Sequence, residues 1–212
     1  MSCSRRDANF ANRPVADLSR LVRRQYVARI MTSAPVAKPG YLQAIQSSGV
    51  LTALADFDPH VAGTPPLGLD LPSSDIDVLC FAPDSAAFTE AVWNCFSPLP
   101  SFEIHQWTSA RRAVIASFVA EGWPFEIFAE ARPVAEQAGW RHFVVEQRLL
   151  SLGGARLRST VMALRHGGAK TEPAFAAALR LQGNPYEAML DIAGEDDDGL
   201  LRLLEHAGYL LC

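Results

Sequence analysis

Short apolar segments separated by turn residues fill the first half of the chain and predict β-strands. Several of these segments are rich in Val, Ile, Phe and Trp, whereas Gly, Pro, Asp and Ser lie between them. Gly122 marks a turn between the last two segments, which predicts a hairpin. The predicted strands are residues 57–62, 75–81, 102–107, 113–119 and 124–129.

Apolar residues at helical spacing predominate from residue 133 onward. Gly153-Gly154 interrupts this pattern, and Thr171 and Asn184 are predicted to cap two later helices. Asp84 is the predicted cap of a helix in the first half. The remaining helices are predicted over residues 41–54, 134–151, 155–166 and 198–206, and the helix capped by Asp84 extends to residue 96.

This order of elements predicts an α+β fold with a mixed sheet of about five strands and helices on one face. A helical C-terminal half follows the sheet. We expect three parts in the chain: a basic N-terminal extension of residues 1–38, a core of residues 39–132, and a helical region of residues 133–212 that packs on the core.

Composition places the protein among globular chains. Its 212 residues are 49% hydrophobic and 20% charged, which excludes a disordered chain or a coiled coil. No apolar run approaches the 18 residues of a membrane span. The four cysteines contain no C-x-x-C pair, so we expect free thiols and a cytoplasmic protein without a zinc site.

Charge is distributed unevenly along the chain. Residues 1–30 carry a net charge of +5, whereas the rest carries −9. An acidic body argues against a long nucleic-acid groove, which needs clustered Lys and Arg. The basic segment fits a nucleic-acid arm, an organellar targeting segment, or sequence upstream of a true start at Met31; we favour the last.

The most informative stretch combines Gly63-Thr64 with Asp75-Ile76-Asp77. Because side chains alternate along a strand, Asp75 and Asp77 should point to one side and Ile76 to the core. Two carboxylates on one face repel each other unless a cation lies between them, and hard oxygen ligands suit Mg²⁺. A Gly-Thr pair after the preceding strand allows close approach to a phosphate and supplies a hydroxyl.

Glu126 is the candidate for a third metal-binding carboxylate. It interrupts an apolar strand, where an unpaired acid is costly to bury. A salt bridge with Arg111 or Arg112 is the competing explanation. The presence of Asp75 and Asp77 favours the metal site.

These residues resemble the signature of the nucleotidyltransferase superfamily, in which a Gly-Ser or Gly-Gly pair precedes two alternating acids. Longer segments are similar to the bacterial family catalogued as domain of unknown function 4269, over about residues 40–205. That resemblance implies a nucleotidyltransferase-like fold, but the family has no established substrate. The segments are GTPPLGLDLPSSDIDVLC (63–80), FEIFAEARPVAEQAGWRHFVVEQRLL (125–150) and KTEPAFAAALRLQGNPYEAML (170–190).

The resemblance implies specific roles. Gly63 and Thr64 match the phosphate-loop pair, and Ser74 matches the small polar residue before the first acid. Asp75, Asp77 and Glu126 match the metal-binding acids, which would hold two Mg²⁺ with a bound nucleotide. In most nucleotidyltransferases the phosphate-loop pair opens a helix. Here Pro65-Pro66 and the alternating leucines predict an extended segment instead.

Four residues of the helical half are further candidates. Lys170 is a candidate for neutralising a phosphate of the nucleotide, or is a solvated residue after a Gly-Gly turn. His142 and Glu146 share a helical face because they are four residues apart. They suit a general base and its orienting acid, but we favour a pair on the helix surface. Arg141 is a lesser candidate on the acceptor side.

Together the residues predict a Mg²⁺-dependent nucleotidyltransferase. It would move a nucleoside monophosphate from a nucleoside triphosphate to a hydroxyl of a small molecule or protein. Long nucleic acids and membranes are not expected partners. The alternative is a catalytically degenerate protein of the same fold that binds a nucleotide or another protein, which the altered phosphate loop favours.

Overall fold

The computed structural model describes residues 39–107 and 112–210. The predicted basic extension of residues 1–38 lies outside the described residues. Within the described part, the predicted five strands form one mixed sheet, which confirms the α+β class. The division into parts at residue 132 stays a prediction. The strands are β1 (His60–Ala62), β2 (Ile76–Phe81), β3 (Glu103–Gln106), β4 (Val114–Ala120) and β5 (Trp123–Glu130).

The strand order across the sheet is β1-β2-β5-β4-β3. β2 and β5 are parallel neighbours, and the other adjacent pairs are antiparallel. β4 and β5 form the predicted hairpin, whose turn residues Glu121 and Gly122 both have positive φ. In the parallel pair Asp77 lies opposite Glu126, so their side chains project from the same face of the sheet.

Helices lie on the sheet and form most of the second half of the chain. Among the described residues, no helix has both the length and the apolar character needed to cross a membrane. The helices are α1 (Tyr41–Ser48), α2 (Val50–Ala53), α3 (Thr64–Leu67), α4 (Ser85–Phe96), α5 (Ala138–His166), α6 (Thr171–Ala178), α7 (Pro185–Ile192) and α8 (Asp197–Ala207), with short 3₁₀ segments at Ala55–Phe57 and Val134–Glu136.

The two faces of the sheet belong to different cores. On one face, Ile76, Val78 and Ile127 are fully buried together with residues of α1, α2 and α4. On the other face, Leu79 is buried with residues of α5 to α8. Hydrophobic burial therefore fixes which face of β2 is apolar throughout, and it leaves Asp77 on the face toward α5.

The segment after β1 is helical, which corrects the prediction that it is extended. α3 is a single turn that begins after Gly63 and ends at Gly68, where φ is +65°. Pro65 and Pro66 fit there because the first turn of a helix has no internal partner for their missing N–H groups. Leu67 and Leu69 are buried, so their alternation marks entry into the core and not a strand.

The helix caps of the sequence are mostly confirmed. The side chains of Asp84 and Asn184 accept hydrogen bonds from the first-turn amides of α4 and α7, and Asp196 caps α8. The predicted cap at Thr171 is wrong. Lys170 holds the cap position of α6, and the Thr171 hydroxyl instead accepts a hydrogen bond from Arg165.

α5 changes direction at the predicted glycine pair. The helical range Ala138–His166 is two helices joined at a kink, where Gly154 has non-helical dihedral angles of φ +62° and ψ −156°. Glycine adopts this conformation without the steric cost that a Cβ would add. The result is two helical arms on either side of the bend, and both arms reach the same cleft.

Candidate functional site

A cleft of about 780 Å³ lies between the face of the sheet that carries Asp77 and the helices α5 and α6. Its lining contains residues from positions 62 to 186, so folding gathers distant parts of the sequence here. Arg141 is absent from the lining. The candidate residues that do line it are Gly63, Thr64, Ser74, Asp75, Asp77, Glu126, His142, Glu146 and Lys170.

The sheet wall of the cleft, defined as Asp75, Asp77 and Glu126, consists of three acids. Asp77 and Glu126 lie opposite each other on parallel strands, and Asp75 precedes β2 by one residue. Burial, followed by repulsion from Asp75 and Glu126, raises the pKa of Asp77 to about 7. Burial and Asp75 also raise the pKa of Glu126. Asp77 and Glu126 are thus destabilised in their charged forms, which a bound cation would reverse.

Gly63 makes room for the Asp77 side chain. A Cβ at position 63 would overlap the Asp77 carboxylate. The backbone at Gly63 has φ +75° and ψ −161°, a region that is essentially restricted to glycine. Close approach of the chain to Asp77 is therefore a second reason for glycine here, beside approach to a phosphate.

Hydroxyl groups tie α3 to the start of β2. The Thr64 hydroxyl donates to Ser74 Oγ at 3.2 Å, and the Leu71 amide donates to the same oxygen at 2.9 Å. Arg158, from the second arm of α5, donates to the carbonyl oxygens of Leu67 at 2.5 Å and Gly68 at 3.2 Å. These bonds hold α3 at one edge of the cleft. They also fix Ser74, and with it the position of the next residue, Asp75.

The sheet wall fits a hard divalent cation chemically. Carboxylate oxygens are preferred ligands of Mg²⁺. Burial and then repulsion between the acids raise the pKa values of Asp77 and Glu126, although Lys170 opposes the shift. Within residues 39–107 and 112–210, no group of three His, Cys, Asp or Glu side chains is already arranged around one metal position. Mg²⁺ commonly completes its shell with water and substrate phosphates, so a complete protein cage is unnecessary.

The helical wall of the cleft, defined as His142, Glu146, Arg165 and Glu172, carries mixed charge. His142 and Glu146 are 8% and 4% exposed, so the favoured interpretation of a surface pair is wrong. His142 Nε2 lies 2.9 Å from the carbonyl oxygen of Tyr186, and Nδ1 lies 3.5 Å from Glu172 Oε1. Packing of α6 and α7 over this side of α5 explains the burial.

Glu146 and Arg165 of the helical wall each have a buried side-chain atom without a hydrogen-bond partner among the described residues, Oε1 and Nε respectively. Burial, followed by repulsion from Glu172, raises the pKa of Glu146 well above the usual value, although Arg165 opposes the shift. Arg165 donates a hydrogen bond to Thr171 and forms no ion pair with Glu146.

Arg165, Glu172 and Trp107 are among the lining residues that sequence reasoning missed. Arg165 reads as an ordinary cation in the last turn of a helix, and Glu172 as an acid in a first turn, where both are common. Trp107 follows β3, is 48% exposed, and contacts Phe128 edge-on with ring centroids 6.0 Å apart. The sequence predicted Trp107 as a core residue at the end of a strand, so its exposure at the cleft corrects that prediction.

Two expectations about arginines have different outcomes. Arg141, expected on the acceptor side, donates to the Leu190 carbonyl oxygen at 3.0 Å and so joins α5 to α7. The alternative salt bridge of Glu126 with Arg112 does not form among the described residues, and Arg111 lies outside them. Glu126 instead faces the cleft.

Residues 43–192 match the family model described as "Domain of unknown function (DUF4269)". This match spans well over half of the sequence, and the chain therefore belongs to that family. A search of curated proteins finds no match.

Several solved structures are similar in part. Cid1, described by its RNA terminal uridylyl transferase activity, is 14% identical over 83% of this chain and 53% of its own, with a TM-score of 0.49. A cytoplasmic RNA terminal U-transferase is 15% identical over 83% and 52%, with a TM-score of 0.45. The polymerase core of TRAMP, an RNA surveillance complex, is 18% identical over 91% and 64%, with a TM-score of 0.42. This chain spans between half and two thirds of the length of these proteins.

Proposed function

From the family membership and the geometry of the cleft, we propose that the chain is a Mg²⁺-dependent nucleotidyltransferase. It transfers a nucleoside monophosphate from a nucleoside triphosphate to a hydroxyl of a small molecule or protein. One observation carries the proposal: Asp77 and Glu126 face each other across parallel strands, with Asp75 beside them, in one cleft. The presence of nucleoside triphosphates and reduced thiols in the cytoplasm makes that compartment the proposed location.

The sheet wall would hold the metal. When bound between Asp75, Asp77 and Glu126, Mg²⁺ neutralises phosphate charge and favours loss of the proton from the acceptor hydroxyl. Asp77 is positioned for this role by β2 and by the space at Gly63. Glu126 is fixed by its register in β5.

Thr64 and Lys170 are the proposed phosphate contacts. The Thr64 hydroxyl lines the cleft at the start of α3. Lys170 also lines it and lowers the pKa values of Asp77 and Glu126, so its charge acts on the same space. A lysine there would attract a triphosphate and orient it toward the acids.

A non-catalytic binding module is the second candidate, and α3 favours it. Because Pro65 and Pro66 have no N–H, the turn cannot offer phosphate the amides of its second and third positions. Fewer backbone amide donors are then left in this turn to bind a phosphate. Such a protein would bind the nucleotide without turnover.

A thermal-shift panel of nucleoside triphosphates with Mg²⁺ tests the proposal. A ligand at 100 times its Kd stabilises a protein by about 2.7 kcal/mol. For this chain length that raises Tm by roughly 5–10 °C. In EDTA, Asp77→Asn should be as stable as wild type or slightly more stable, because one repelling charge is gone. With the right nucleotide and Mg²⁺, the wild type should become the more stable protein.

Asp84→Asn is the matched control, because it removes a carboxylate outside the cleft at a cap position that Asn also serves. It should respond to the nucleotide as the wild type does. If Asp77→Asn is weaker in EDTA and no nucleotide shifts either protein, the nucleotidyltransferase proposal fails. A shift in the wild type without release of pyrophosphate, across a panel of hydroxyl acceptors, would select the binding module.

A further inference from the structure

The helical wall leaves one hydrogen-bond acceptor without a donor. Glu146 is 4% exposed, yet it lines the cleft, and its Oε1 has no partner among the described residues. Buried carboxyl oxygens are normally paired, because an unmade bond there costs the full desolvation of the group. A group of this kind at the edge of a cavity indicates that its partner comes from a ligand.

Neither neighbouring cation makes a hydrogen bond to Glu146, although Arg165 Nε is itself buried without a partner among the described residues. Arg165 bonds to Thr171, and Lys170 acts on Asp77 and Glu126 of the sheet wall. Glu172 adds a second acid, at 3.5 Å from His142. The helical wall therefore sets two acids, Glu146 and Glu172, against a single arginine, and the Glu146 oxygen stays unpaired.

We propose that the helical wall is a subsite for a protonated amino group, which donates to Glu146 beside Glu172. A charged nitrogen donor suits this position better than a neutral hydroxyl, since it meets both the unpaired oxygen and the excess negative charge. The inference rests on the proposed function where it names the acceptor: a molecule that carries a hydroxyl to be modified and an amino group for recognition.

Ethanolamine and ethylene glycol form a matched pair of probes for this subsite, because they differ by exchange of an amino group for a hydroxyl. We expect the full chain, titrated by NMR at constant ionic strength in EDTA, to bind ethanolamine about tenfold more tightly, as one charge-assisted hydrogen bond allows. Glu146→Gln should abolish most of this preference. Glu136→Gln, an exposed acid outside the cleft, should retain it.

The same titration of Asp77→Asn locates the bound ammonium group. If Asp77→Asn loses the preference and Glu146→Gln keeps it, the amine binds the sheet wall and the inference is overturned. Equal binding of the two probes by the wild type also overturns it. Should Glu146→Gln not fold, isotope-labelled glutamate gives a second measurement. The Glu146 carboxyl resonance should then move with ethanolamine and not with ethylene glycol.

Failure of the inference can be separated from failure of the proposed function. The amine titration uses neither Mg²⁺ nor nucleotide. Loss of the nucleotide response with a retained amine preference would remove the nucleotidyltransferase proposal alone. A normal nucleotide response without an amine preference would remove the subsite alone.

Discussion

The sheet wall and the helical wall place acids in one cleft by different means. On the sheet wall, strand register fixes Asp77 opposite Glu126, so like charges lie side by side whatever their repulsion. On the helical wall, acids alternate with His142 and Arg165, and the α-helices bring both signs together. Under the two proposals, the first arrangement takes up a cation and the second takes up a nitrogen donor. Metal and organic ligands would then bind to opposite sides of the cleft.

The largest expected effect tests the space that supports the sheet wall. Gly63→Ala forces a side chain into a conformation that costs about 1–3 kcal/mol and into overlap with Asp77. At roughly 2–4 °C for each kcal/mol, Tm should fall measurably by calorimetry. The nucleotide-dependent shift should disappear as Asp77 moves.

Gly183→Ala separates these two causes. Gly183 has φ +86°, but a Cβ there would meet no atom within 4 Å. It should lose stability through backbone strain and keep the nucleotide response. If both variants keep the nucleotide-dependent rise in Tm, the close contact between Gly63 and Asp77 is not needed for nucleotide binding.

The next effect concerns pH and the helical wall. Glu146 faces Arg165 and Glu172, and its folded pKa lies well above the reference value of 4.5. Between that value and the folded pKa, the folded state binds more protons than the unfolded state, so stability falls as pH rises. Chemical denaturation should show wild type losing stability relative to Glu146→Gln by up to about 1.4 kcal/mol per pH unit.

The comparison with Glu146→Gln isolates this group, because Asp77, with its pKa of about 7, titrates in both proteins. A difference between wild type and Glu146→Gln that stays constant from pH 4 to 8 would show that Glu146 is already paired. Glu136→Gln should track the wild type at every pH.

A smaller effect tests the hydrogen bonds that join α5 to the turn α3. Arg158→Met removes the donors to Leu67 and Gly68 while keeping most of the apolar side chain. We expect the free energy of unfolding to fall by about 1 kcal/mol, because the two hydrogen bonds from Arg158 are only partly buried or exposed. The nucleotide should also bind more weakly, since α3 is held less firmly. Exposed Arg156→Met is the control, and an equal loss in both variants would deny Arg158 its positioning role.

The smallest expected effect is on nucleic acid. The chain from residue 40 onward should bind duplex DNA only in the weak nonspecific range, with a Kd of roughly 10⁻⁴ M or poorer at physiological salt. Fluorescence anisotropy across a salt series measures this. Submicromolar binding with a steep salt dependence would contradict the proposed small acceptor and indicate a nucleic acid as the acceptor.

Much of the sheet wall could be predicted because it depends on local periodicity. Alternation along 75–78 puts Ile76 and Val78 in the core and leaves Asp77 on the other face, as observed. The hairpin followed from Gly122. The caps Asp84 and Asn184 followed from the hydrogen bonds that their own side chains can accept from nearby amides.

The helical wall could not be predicted in the same way, because its burial depends on distant contacts. Nothing near His142 shows that the Tyr186 carbonyl will lie 2.9 Å from its ring. The sequence predicted Thr171 as a helix cap, but its hydroxyl accepts a hydrogen bond from Arg165 instead. The alternation of Leu67, Leu69 and Leu71 suggested an extended segment, although Pro65 and Pro66 suit the first helical turn that forms at Thr64–Leu67.

The glycine pair in α5 gives the cleft a modular construction. A Cβ at Gly153 would crowd Leu157 and Leu204, so this glycine allows close packing of α5 against α8. A Cβ at Gly154 would meet nothing within 4 Å, and this glycine instead allows the backbone to bend. His142 and Glu146 lie before the kink at Gly154, and Arg158 and Arg165 lie after it. Substitutions at His142 or Glu146 would therefore change the proposed subsite on the first arm without altering the hydrogen bonds from Arg158 to Leu67 and Gly68. Divergent acceptor choice among relatives is expected to concentrate on the first arm.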